Sequence, residues 1–93
     1  MNYKAKRFIK NVKMLALHNN LKCRVIVFKR EPGFDIDFYR RSKIFVYYVE
    51  YFEAHKTYRL VNHWEEKTIK EFDDSVKMLK FLKVFIKRNY HKF

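Results

Sequence analysis

Residues 44–52 carry the strongest hydrophobic pattern in the chain. All of them except Glu50 are β-branched or aromatic, and neither glycine nor proline interrupts the run. Such a run is typical of a strand at the centre of an antiparallel sheet. Further strands are predicted over residues 22–30, 34–40 and 57–64, with a short edge strand over residues 68–72.

Two segments with apolar residues at helical spacing flank these strands. Residues 3–19 place Phe8 and Val12 on one apolar stripe, and Asn2 is suited to cap the start of the helix. Residues 73–90 predict a second helix, which Asp73, Asp74 and Ser75 would cap. The sequence therefore predicts one α+β domain over residues 1–93, in the order helix, four- to five-stranded antiparallel meander, helix.

Pairing residues across each turn predicts the two faces of the sheet. Pro32 and Gly33 suit the central positions of a type II turn, and this turn would pair Arg30 with Asp35 and Val27 with Phe38. The later turns would pair Phe34 with Val49, Val49 with Leu60, Glu50 with Arg59 and Trp64 with Ile69. The core face predicted from this register comprises Cys23, Val25, Val27, Phe34, Ile36, Phe38, Phe45, Tyr47, Val49, Tyr51, Tyr58, Leu60 and Trp64.

The opposite face, called here the outer sheet face, combines an apolar centre with a charged rim. Its apolar residues are Ile26, Phe28, Tyr39, Ile44, Val46, Tyr48 and Val61, and its rim is Arg24, Arg30, Asp35, Asp37, Glu50, Arg59 and His63. A patch of this kind is typical of an interface. One helix on each face, a second copy in a homodimer, or a different protein would each cover it. The candidate partner-contact residues are Ile26, Phe28, Tyr39, Val46, Tyr48, Arg59 and His63.

The composition adds a strong positive charge. The chain has 22 Lys and Arg against 10 Asp and Glu, for a net charge of +12, and the first acidic residue is Glu31. A field of this sign attracts DNA, RNA or an anionic surface. Lys outnumbers Arg 15 to 7, which favours contact with phosphates over readout of bases. The candidate nucleic-acid-binding residues lie on the predicted helices and are Lys4, Lys6, Arg7, Lys10, Lys13, Lys80, Lys83 and Lys87.

Signals for catalysis or metal binding are weak. The histidines lack ligand spacing, and the chain has neither a nucleophile motif nor a glycine-rich phosphate loop, so we expect no enzyme, no metal and no cofactor. Neighbouring strands nevertheless carry the residue types that a metal-independent ribonuclease uses. That set is His55, His63, Arg59, Glu50 and Tyr48.

The remaining features concern the compartment. Cys23 is the only cysteine, so an intramolecular disulfide is impossible and we expect a cytoplasmic protein. No apolar run is long enough to predict a membrane span. The abundance of Lys, Asn, Ile, Phe and Tyr is typical of low-GC bacteria, their phages and other mobile elements.

Three functional hypotheses follow from the sequence. The first is a small non-enzymatic protein that binds the phosphate backbone of DNA or RNA. The alternative is a phage-type inhibitor that uses the outer sheet face against a host nucleic-acid-handling machine, such as a CRISPR nuclease. The third is a small basic ribonuclease toxin.

Overall fold

The computed structural model describes residues 2–41 and 44–93. The elements are helix α1 (Tyr3–His18), strands β1 (Lys22–Val27), β2 (Gly33–Tyr39), β3 (Tyr47–Phe52), β4 (Thr57–Asn62) and β5 (Lys67–Phe72), helix α2 (Ser75–Asn89) and a 3-10 turn (Tyr90–Lys92). The strands form one antiparallel sheet in the order β1-β2-β3-β4-β5. The predicted α+β architecture is confirmed, and the strand expected at the centre is central, although it begins only at Tyr47.

Both helices begin at the predicted capping residues. The Asn2 side chain accepts a hydrogen bond from the backbone N–H of Ala5 at 2.8 Å. The Asp74 carboxylate accepts one from the N–H of Val76 at 2.8 Å. Each bond satisfies one N–H that the first turn of a helix leaves without an intrahelical partner.

The two helices lie side by side on the same face of the sheet. Phe8 and Val12 of α1, and Leu82 and Ile86 of α2, belong to one buried cluster with the inward-facing residues of the sheet. Helix α1 contacts β1, α2 contacts β4 and β5, and the helices contact each other. The suggestion that one helix covers each face is therefore wrong, and neither helix covers the outer sheet face.

The helices also run in the same direction. At one end of the layer, a single cleft is lined by Asn2, which caps α1, and by Asp74, which caps α2. At the other end, the hydroxyl of Tyr90 donates a hydrogen bond to the carbonyl of Asn20 at 3.4 Å. The two helix N-termini therefore lie together at one end of the molecule, and the two C-terminal ends lie together at the other.

The strand register is partly as predicted. Val49 lies opposite Leu60, as expected, but Val27 lies opposite Phe34, and Phe34 lies opposite Tyr51. At the β1–β2 turn the cause is Gly33, which has no positive φ and begins β2, so it cannot take the third position of a type II turn. The observed register differs from the predicted one by four residues between β1 and β2 and by two residues between β2 and β3. Because both differences are even, the residues predicted to face inward still face inward.

Three residues predicted to lie in the core do not. Val27 is 54% exposed and Trp64 is 62% exposed. Phe45 precedes β3 and contacts the rings of Tyr39, Tyr48 and His63.

The end of β4 explains the error at Trp64. Strand β4 stops at Asn62, whose side chain is buried and accepts a hydrogen bond from the N–H of Glu65 at 3.0 Å. A register shift between Leu60 and Val61 then places Thr68 opposite Val61, so the predicted pairing of Trp64 with Ile69 is wrong. Core-face and outer-face residues alternate in the sequence as far as Trp64, but strand β4 ends at Asn62.

Candidate functional site

The outward surface of α1 and α2, called here the helix layer, is uniformly basic. Neither helix contains Asp or Glu. All of its basic residues are exposed, namely Lys4, Lys6, Arg7, Lys10, Lys13, Lys77, Lys80, Lys83, Lys87 and Arg88. The structure thus brings every predicted nucleic-acid-binding residue to one side of the sheet. The prediction omitted Lys77 and Arg88. Both lie off the apolar stripe of α2, so the helical spacing of the sequence could have predicted that they are exposed.

The charges of the chain are segregated between this layer and the rest of the molecule. Ten of the 22 Lys and Arg lie on the two helices, which leaves 12 against the 10 Asp and Glu elsewhere. The acidic residues lie in strands, in turns, and at Asp73 and Asp74 before α2. Nearly all of the net charge therefore comes from the helix layer.

The outer sheet face carries two arginine–carboxylate pairs. Arg24 on β1 donates a hydrogen bond to Asp37 on β2, with 3.1 Å between Nη2 and Oδ2. The guanidinium of Arg59 on β4 donates two hydrogen bonds to Oε1 of Glu50 on β3, the one from Nε at 3.1 Å. The predicted pairing of Glu50 with Arg59 is confirmed.

Asp35 lies between these pairs without an arginine of its own. The predicted pairing with Arg30 is wrong, because Arg30 lies in the β1–β2 loop and Asp35 lies opposite Ile26 and Glu50. Among the described residues, its buried Oδ1 atom has no hydrogen-bond partner. Burial, and then the nearby carboxylates of Glu50 and Asp37, raise the pKa of Asp35 to about 7.

Aromatic and aliphatic side chains surround these charges. The ring of Phe28 stacks on Phe52 with 5.3 Å between centroids, and Ile26 is 40% exposed. The structure places the predicted partner-contact residues Ile26, Phe28, Tyr39, Tyr48, Arg59 and His63 on this face or at its end. Val46 instead packs against the core, so its assignment to the outer sheet face is wrong.

An aromatic cluster at one end of this face was missed by the sequence reasoning. The ring of His63 lies 4.7 Å from Phe45 and 5.5 Å from Trp64, and Phe45 also contacts Tyr39. Phe45 and Trp64 continue the apolar alternation of the neighbouring strands, and that alternation gives no sign that they leave the core. The acidic pair Glu65 and Glu66 after Trp64 was the one hint of an early turn.

Of the residues proposed for a ribonuclease, Tyr48, Arg59 and His63 line one cleft, and Glu50 pairs with Arg59, whereas His55 lies apart from them. His55 lies in the turn before β4 and His63 follows its end. A six-residue strand spans about 20 Å at about 3.3 Å per residue, so the two imidazoles lie at opposite ends of β4. Arg59, between them, is engaged by Glu50.

Among the residues that the structure describes, no three His, Cys, Asp or Glu side chains come together as metal ligands. Within residues 2–41 and 44–93, neither helix has the length and apolar character that a bilayer span requires.

Comparison with protein families, with curated proteins and with solved structures finds no match to this chain.

Proposed function

We propose that this protein is a non-enzymatic nucleic-acid-binding protein whose helix layer contacts the phosphate backbone of a duplex. The observation that carries the proposal is the segregation of charge, since both helices lie on one side of the sheet with ten exposed cations and no carboxylate. Solvated protein surfaces usually mix charges of both signs, which limits single-sign fields. A single-sign surface of this size is what a polyanion requires.

The spacing of the lysines suits a phosphate backbone. Lys6 and Lys13 on α1, and Lys80 and Lys87 on α2, each span seven residues, which is about 10 Å along a helix. A duplex presents one phosphate charge per about 1.7 Å of its axis, so each helix can neutralise several phosphates. Because the cations are mostly Lys, which acts as a point charge, we expect little dependence on base sequence.

The helix layer offers little to unpaired bases. Of the aromatic residues in the two helices, Phe8 is buried and Phe81 and Phe85 are half-buried against the core, which leaves Tyr3 as the exposed ring. Proteins that bind single strands combine a basic groove with several exposed aromatic side chains on which successive bases stack. A surface of lysines without such rings fits a duplex better than a single strand.

The test is the affinity for a fluorescently labelled random-sequence duplex, measured by anisotropy over a series of salt concentrations. We expect binding that weakens steeply with salt, because each phosphate contact releases a counterion. Changing Lys6, Lys10 and Lys13 together to Glu should weaken binding at least tenfold and flatten the salt dependence. No measurable binding at low salt would overturn the proposal.

A matched variant separates the helix layer from net charge. Changing Lys29, Lys56 and Lys67 together to Glu makes the same change in net charge at exposed positions outside the helices. We expect a much smaller loss of affinity from this variant than from the helix variant. Equal losses would show that the whole molecular charge, and not the helix layer, attracts the duplex.

A second candidate function is favoured by the uncovered outer sheet face. The stacked pair of Phe28 and Phe52 and the partly exposed Ile26 and Tyr48 lie on this face, and neither helix covers it. This arrangement supports a phage-type inhibitor that docks on a host nucleic-acid-handling machine.

In a DNA-cleavage assay with a CRISPR nuclease, this second candidate predicts inhibition that Phe28→Asp and Tyr48→Asp abolish. The helix variant at Lys6, Lys10 and Lys13 should inhibit as well as the unmodified chain. Absence of inhibition by the unmodified chain counts against this target, and a loss confined to the helix variant supports the nucleic-acid proposal instead.

A further inference from the structure

The two edge strands of the open sheet differ in how they discourage pairing with another chain. On β5, Lys70 lies opposite Leu60, a residue of the core face, and the register shifts between Leu60 and Val61. An inward charge and a bulge are two of the devices that protect edge strands from adding a further strand. Strand β5 is therefore a protected edge.

Strand β1 has neither device. It pairs with β2 in an unbroken register over all six of its residues, from Lys22 to Val27. Its core-face residues are Cys23, Val25 and Val27, which lie opposite buried apolar residues of β2 and include no charge. The described residues form no strand on the other side of β1, and Val27 is 54% exposed there.

The charges of β1 indicate what would pair with it. Its outer-face residues Lys22 and Arg24 are basic, and Lys29 and Arg30 follow in the loop. A second copy of β1 would bring two basic strands side by side, and like charges that lie directly opposite each other are destabilising. A strand with acidic residues on its outer face is favoured.

Strand β2 already shows this pattern at the other edge of β1. It presents Phe34 and Ile36 on the core face, and Asp35 and Asp37 on the outer sheet face. Asp37 accepts a hydrogen bond from Arg24, whose side chain is still 60% exposed and retains donors for a second carboxylate.

We infer that the open edge of β1 binds an extended segment of a partner protein in which apolar and acidic residues alternate. The segment adds a sixth strand to the sheet, with backbone hydrogen bonds to β1. Its apolar side chains cover Cys23, Val25 and Val27, and its carboxylates meet Lys22 and Arg24. The inference rests on the pairing groups and charges of β1 and not on the cations of the helices, so it does not depend on nucleic-acid binding.

The probe is the synthetic peptide acetyl-Thr-Val-Thr-Val-Asp-Val-Glu-amide, whose antiparallel pairing places Val opposite Cys23, Val25 and Val27 and a carboxylate opposite each of Lys22 and Arg24. It is titrated into the ¹⁵N-labelled full chain and followed by NMR. We expect shift changes concentrated in residues 22–27 and slower hydrogen exchange of amides in β1. An analogue with Lys in place of Glu and Asp should bind at least tenfold more weakly, because it repels Lys22 and Arg24.

Two single substitutions locate the binding edge. Val27→Lys gives β1 the kind of inward charge that Lys70 gives β5, at a position exposed enough to tolerate it, and it should weaken peptide binding at least tenfold. Thr68→Lys adds the same charge at an exposed position of β5 and should leave peptide binding unchanged. The dispersion of each NMR spectrum shows that the variant folds.

Several results would overturn the inference. These are no shift changes with the acidic peptide, equal binding of the Lys analogue, shifts centred on β5 or the helix layer, or undiminished binding by the Val27→Lys variant. Shift changes in residues 22–27 on dilution of the protein alone would also overturn it, because they would assign the edge to a second copy of this chain.

Discussion

Replacing Asp35 by Asn should stabilise the protein at neutral and alkaline pH. Asn keeps the shape of the side chain and removes a charge that lies among Glu50 and Asp37 with a buried, unpartnered Oδ1 atom. The pKa of Asp35 is raised from its ordinary 3.8 to about 7, so the folded state binds this proton more tightly than the unfolded state does. The stability that this proton provides is fully present below about pH 4 and is lost as the pH rises through about 7.

The size of the effect follows from that change in proton affinity. Each tenfold change in proton affinity corresponds to 1.36 kcal/mol of free energy. A pKa that moves from 3.8 to about 7 therefore sets an upper bound of about 4 kcal/mol on the cost of the Asp35 charge to stability. Asp35 is only partly buried, and solvent screening reduces the cost of its charge to about 1–2 kcal/mol. We expect Asp35→Asn to raise the free energy of unfolding by this amount at about pH 8 and by much less at about pH 4.

Urea denaturation at both pH values measures the free energy of unfolding of the Asp35→Asn variant and of the unmodified protein. The difference between the two proteins cancels the contributions of all other titratable groups. The control is Glu31→Gln, which removes a carboxylate from an exposed position of the β1–β2 loop and should follow the unmodified protein. A pH dependence of stability that is the same with and without Asp35, or a loss of stability at about pH 8, would refute the reasoning.

Three further substitutions test the packing and the caps, each by chemical denaturation. Gly33→Ala should cost at least about 2 kcal/mol or prevent folding, because its Cβ would collide with the carbonyl oxygen of Tyr51 and lie 2.9 Å from the ring of Phe28; a near-neutral result would show that β2 and β3 can move apart. Leu82→Ala should cost about 2–5 kcal/mol, since Leu82 is fully buried between α2 and the sheet, and a cost below about 1 kcal/mol would contradict the described core. Asn2→Ala should cost about 1 kcal/mol through the lost cap of α1, whereas Asn2→Asp should keep most of that stability; equal losses would argue against the cap.

Local patterns predicted the elements well. The caps at Asn2 and Asp74, and the apolar stripes through Val12 and Leu82, depend on residues within a few positions of one another, so the sequence contains the full signal. The two faces of the central strands were also predictable, because strand side chains alternate with a period of two. Register errors of two or four residues could not exchange those faces.

The predictions failed where the chain leaves a strand. The turn at Gly33, the end of β4 at Asn62 and the positions of Phe45 and Trp64 outside the core depend on contacts between distant segments. Gly33 is needed where the backbone of β3 and the ring of Phe28 approach closely, and not for its freedom to adopt a positive φ. Apolar alternation alone cannot show where backbone pairing stops.

The sequence by itself determined that this chain folds as helix, antiparallel meander and helix, and that the helices are basic. It left both sheet faces apolar enough to be covered, so it could not decide where the helices pack. Only the tertiary structure places both helices on one face, which gathers ten cations on one surface and leaves Asp35 on the other. The physical reason is that helical and strand periodicity are local properties, whereas the covering of a face depends on the complementary shapes of side chains far apart in the chain.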